Sequence, residues 1–77
     1  MTDYCFHVVP KHDAEADSYW VFAASEREAR RLVSLNVAGA EDAIYDHAFS
    51  CVPSSTRKPS RHLIYRRFGG PITIKKQ

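Results

Sequence analysis

Two pairs of potential metal ligands stand out first: Cys5-x-His7 near the start of the chain and His47-x-x-x-Cys51 in its second half. Thiolate and imidazole are donors that suit zinc. The spacing argues against a site. If residues 46–52 form an extended strand, His47 and Cys51 point to one face but stand about 13 Å apart, too far to share one ion. None of the ligand spacings that mark zinc modules is present. A hydrolytic centre fares no better. Asp46 and His47 are adjacent and would face opposite ways in a strand, and the serines at 54–60 lie in no nucleophile elbow. Gly69-Gly70-Pro71 precedes no helix, so it reads as a turn rather than a phosphate cradle. The sequence therefore predicts no catalytic residue, no metal and no cofactor.

Charge is the more informative signal. Residues 1–50 hold all nine acids against four bases, whereas residues 51–77 hold seven bases and no acid. The overall charge of +2 conceals this division. Arg57, Lys58 and Arg61 sit in a Ser/Pro-rich stretch, Arg66 and Arg67 lie between Tyr65 and Phe68, and Lys75-Lys76 come near the end. Cations interleaved with aromatic rings suit a nucleic-acid strand, the cations meeting phosphates and the rings stacking on bases. The same residue types also anchor protein interfaces. Arg66 and Arg67 are predicted on opposite sides of a sheet, so only one can join a given patch. The blander alternative is a solvated sheet edge kept soluble by its charges.

The elements that must position these groups follow from periodicity. Tyr4 to Val9 alternates as a strand, with Tyr4, Phe6 and Val8 on one face and Cys5, His7 and Val9 on the other, and Pro10 ends it. Lys11 to Ser18 is an acidic loop. Tyr19 to Ala24 (YWVFAA) is apolar on both faces, which predicts a central strand antiparallel to the first, with one face under a helix.

That helix is SEREARRLVSLNVAG, residues 25–39. Ser25 and Glu28 form a capping box, and Gly39 offers a left-handed stop. Ala29, Leu32, Val33 and Asn36 recur at helical spacing, with Arg30 assigned to the solvent side and paired to Glu26. Asp46–Val52 is expected as a third strand, 53–61 as a mobile loop, His62–Phe68 as a fourth strand, and Pro71–Ile74 as a short edge strand after a Gly-Gly turn, the alternative being one long strand kinked by a bulge at the two glycines.

The expected fold is α+β: an antiparallel sheet of four to five strands with a single amphipathic helix on one face, ββαββ(β), in one domain over residues 1–77. The expected core is Tyr4 or Phe6, Val8, Trp20, Phe22, Ala29, Leu32, Val33, Phe49, Leu63, Ile64 and Ile72. No stretch reaches the roughly 20 apolar residues of a membrane span, and the N-terminus does not read as a signal peptide. A cytoplasmic protein with reduced Cys5 and Cys51 is expected. A homodimer through the exposed last strand is an alternative to a monomer.

The size, the single sheet with one helix, the divided charge and the run YWVFAASEREARRLV together resemble small proteins of bacteriophages and mobile elements, anti-CRISPR proteins in particular. The resemblance is architectural. It implies a non-enzymatic inhibitor, active in a host cytoplasm, that binds a CRISPR-associated protein complex and blocks nucleic-acid binding or cleavage. Asp13, Glu15 and Asp17 would then stand in for phosphates at a basic site. Alternatively, on charge alone, Arg57, Lys58, Arg61, Tyr65, Arg66 and Arg67 would dock on an acidic protein surface. The alternative is a small DNA- or RNA-binding accessory protein that uses the basic third directly.

Overall fold

The computed structural model describes residues 3–13 and 15–77. Met1, Thr2 and Ala14, part of the predicted N-terminal and acidic-loop readings, lie outside the described residues. The chain forms β1 (Tyr4–Pro10), β2 (Tyr19–Ala23), α1 (Glu26–Asn36), a 3-10 turn (Glu41–Ile44), β3 (Phe49–Pro53), β4 (Leu63–Arg66) and β5 (Ile72–Thr73). Five strands make one sheet in the order β3-β1-β2-β4-β5, and every pairing is antiparallel. The α+β expectation holds, with β2 at the centre and a single α-helix on one face.

Ser25 starts the helix as predicted. Its backbone is extended and its Oγ accepts from the Glu28 N–H at 3.2 Å. The helix stops earlier than Gly39. Val37 caps it in extended geometry, and Gly39, with φ at +88°, makes the turn that follows. Third-strand boundaries also shift: Asp46, His47 and Ala48 lie in a turn, and pairing with β1 begins only at Phe49.

Where the helix lies closest, the covered face of the sheet is built from small or slim residues. Val8, Val21 and Ile64 are fully buried, and Ala23 lies beneath Ala29, Leu32 and Val33 of the helix in the same core. Ala23 and Ala29 let helix and sheet come close, and tight packing rewards that approach. Phe6, Phe49, Tyr19 and Cys51 fill the flanks. Trp20, Phe22 and Leu63 were expected in this core and are not there; they are only half-buried and lie on the side away from the helix. Tyr4 is 55% exposed, so Phe6 is the buried member of that pair.

Arg30 also departs from the solvent-facing expectation. It points inward, is 7% exposed, and ties three elements together. Its Nη1 donates to the Ala43 and Phe49 carbonyls at 3.2 and 2.9 Å, its Nη2 to Asp46 at 3.0 Å, and its Nε to Glu26 at 3.2 Å. The guanidinium fork can serve all of these at once. The Glu26–Arg30 pair was legible; the burial was not, because Arg30 satisfies backbone groups that come from the region after the helix.

Candidate nucleic-acid interface

Opposite the helix, the sheet carries rings. The β1–β2 and β2–β4 registers set His7 beside Trp20 and Trp20 beside Tyr65, a row across three strands. Cys5 and Phe22 form the next row. The His7 and Trp20 rings stack with centroids 4.2 Å apart and planes 5° apart. His7 is fixed from behind by a 2.9 Å hydrogen bond between its Nε2 and the Ser18 hydroxyl. Burial, then the neighbouring charges of Arg67 and Lys58, hold its pKa below the ordinary imidazole value of 6.5. His7 is therefore a neutral ring at neutral pH.

The Ser/Pro-rich loop after β3, expected to be mobile, is folded against this row. Lys58 Nζ lies 4.6 Å from the Trp20 ring centroid and 5.7 Å from that of Tyr65. The Ser60 N–H donates to the Tyr65 hydroxyl at 3.0 Å, which locks loop to strand. Arg61 stands 5.6 Å over Phe22 and pairs with Asp3 at 3.5 Å. These cation–ring contacts explain why a loop without an apolar residue packs on the sheet.

The expected partner-binding residues thus separate into two groups. Arg57, Lys58, Arg61, Tyr65 and Arg67 gather on or around the open face, Arg67 lying near His7 and 4.7 Å over Phe68. Arg66 points the other way, and its Nε donates to the Gly70 carbonyl at 2.8 Å, bracing the β4–β5 turn. The carboxylate of Asp13 accepts from the Glu15 N–H, closing its own loop turn. The Asp17 carboxylate accepts from the Phe68 N–H at 2.8 Å and holds the same β4–β5 turn. Glu15 is exposed. Asp13 and Asp17 are accordingly engaged within the fold.

His7, Trp20 and Phe22 complete the face and were not foreseen as site residues. The signal was present in the alternation of β2, large rings at 20 and 22 against small residues at 21 and 23. Among the described residues no cluster of three or more metal-ligating side chains occurs. Both thiols are buried. Burial raises the Cys5 pKa against a smaller opposing effect of Lys58, and pushes Cys51 up to about 11, with Arg30 and Glu26 acting in opposite directions. No helix among the described residues is long and apolar enough to cross a membrane.

The fold and this face define a class: a small antiparallel sheet backed by one helix, with rings and cations on its free side. No protein-family model matches the chain, and neither does any curated protein or solved structure.

Proposed function

We propose that this domain binds single-stranded nucleic acid on the open face of its sheet. The observation that carries the reading is the row His7–Trp20–Tyr65 with the Lys58 ammonium over two of its rings. Rings on a sheet offer stacking surfaces to unpaired bases, and cations at the rim neutralise the phosphates between them. Bases inside a duplex are already stacked, so the rings favour single strands.

Lys58 is the moving part. An exposed cation–ring contact is worth about 0.5–1 kcal/mol, whereas stacking one base on a protein ring is worth about 1–3 kcal/mol. A base can therefore displace the ammonium from the rings, and the freed cation turns to a phosphate. The divided charge of the chain supports the same face, since Arg57, Lys58, Arg61 and Arg67 all surround it. No enzymatic step is part of this proposal.

Trp20 is the only tryptophan, so its fluorescence reports stacking directly. Titration with short single-stranded DNA and RNA at two salt concentrations should quench it, with affinity falling as salt rises. Duplexes should bind more weakly. Absence of quenching and of binding at low salt would reject the proposal. The face would then be assigned to a protein partner through the same Trp, Tyr and Arg anchors, as an inhibitor of a host protein complex would require.

A further inference from the structure

A hollow of about 740 Å³ adjoins the ring row, where the start of β1 and the end of β2 meet the loop after β3. Its size falls in the range of small-molecule sites. Cys5 and Phe22 lie among its lining residues, with Pro53 and Ser54 beside them. Arg57, Lys58 and Arg61 line it as well, against the single carboxylate of Asp3. Three cations against one acid leave a net charge of +2 facing the space. No ion pair of Arg57 or Lys58 occurs among the described residues, while Arg61 is already held by Asp3.

We propose that this hollow receives the terminal phosphate monoester of a nucleic-acid strand whose adjoining bases lie on the ring row. The proposal rests on the reading of the open face given above. Charge selects the ligand. A phosphate monoester carries about −1.5 to −2 at pH 7 and offers three acceptor oxygens, whereas a phosphodiester within a strand carries a single charge. A net +2 is thus matched by the end of a strand and only half matched by its interior. Arginine suits such a group because its fork can donate two parallel hydrogen bonds to one phosphate.

The lining residues divide the work. Phe22 supplies a ring for the terminal base or sugar, and Arg57 is exposed on a loop and free to close on the phosphate. Lys58 touches both regions, over Trp20 and Tyr65 on one side and along the hollow on the other. It therefore couples stacking on the row to occupancy of the hollow: a base that displaces the ammonium directs it toward the phosphate. Cys5 is a bystander, since burial raises its pKa and keeps it a neutral thiol.

The test compares four probes on the intact protein: one short single strand with hydroxyl ends, the same strand with a 5′-phosphate, the same strand with a 3′-phosphate, and a nucleoside monophosphate alone. The expected result is about tenfold tighter binding of one phosphorylated form, in line with a few charge-assisted hydrogen bonds. Arg57→Gln, an exposed loop substitution, should shrink that preference below about twofold. Circular dichroism of the variant confirms its fold.

Equal affinity for all three strands would overturn the hollow as an end-binding site and leave the ring row intact. If no strand binds but the nucleoside monophosphate does, with loss in Arg57→Gln, end-binding of a strand is overturned together with the ring row, and the hollow is a site for a small phosphate ester instead. Failure of all four probes overturns both.

Discussion

Under the helix the sheet presents Val8, Val21, Ala23 and Ile64; on its other side it presents His7, Trp20, Phe22 and Tyr65. Both sets come from the same strands, one residue apart. Directly beneath the helix the covered face has small or slim residues, because a helix must approach it closely, and the rings of Phe6, Tyr19 and Phe49 are kept to its flanks. The open face has large rings with a polar edge or a π-surface left over, and its partners are the cations of a loop rather than apolar side chains. The difference teaches where stability and function should part company. Changes on the covered face should unfold the domain, and changes on the open face should mostly spare it.

Substitutions on the two faces test that contrast. The largest loss is expected at Arg30→Met, which leaves the Ala43 and Phe49 carbonyls without their donor. Urea unfolding should show a loss of about 3 kcal/mol or more, since orphaned buried acceptors cost about 1–3 kcal/mol each. Asp46→Ala should cost less than about 1 kcal/mol, because that carboxylate is 86% exposed and its ion pairs are screened. Equal losses from the two variants would show that the salt bridge, not the carbonyl bonds, holds the region after the helix.

Next in size comes the direct comparison of faces. Ile64→Ala on the covered side should cost about 2–5 kcal/mol of stability. Trp20→Ala should cost clearly less stability than Ile64→Ala and instead reduce single-strand affinity by about 1–3 kcal/mol. A Trp20→Ala variant that unfolds as readily as Ile64→Ala would erase the distinction. Ser25→Ala should remove about 1 kcal/mol through the lost helix cap, with binding unchanged.

The smallest effect is a pH dependence. His7 has a folded pKa below 6.5, through burial and the charges of Arg67 and Lys58. As pH falls below about 6.5 the unfolded chain takes up this proton before the folded one does, so folding is progressively disfavoured. The contribution is complete above the unfolded value and lost in the window beneath it, levelling off below the folded pKa. His7→Gln should flatten that part of the stability profile, and an unchanged slope would show that His7 is not its source.

Much of the fold was legible because local signals agreed: the Ser25 cap, the period of Ala29, Leu32 and Val33, and the alternation of β1. The fourth strand ends at Arg66 rather than Phe68, so the turn begins at Arg67, ahead of the two glycines. What the sequence left open was which apolar face of β2 meets the helix. Trp20 and Phe22 look like core residues by hydropathy, yet the close approach of Ala29 selects Val21 and Ala23 instead. Arg30 was misplaced for a related reason, since its partners are carbonyls at Ala43 and Phe49, which no helical period reveals. Of the site, the cations at 57, 58, 61 and 67 and Tyr65 were visible as a basic, aromatic-rich segment. His7, Trp20 and Phe22 join them only through the antiparallel register of β1, β2 and β4.

On the proposed reading the open face, not the acidic loop or the helix, meets nucleic acid. The most direct measurement is a map of amide and indole chemical shifts during titration with a short single strand. The one indole N–H, from Trp20, is expected to move together with amides around His7, Lys58 and Tyr65 while those of the helix stay still. Shifts confined to the helix or to residues 11–18, or no shifts at a strand concentration that saturates binding in solution, would contradict it.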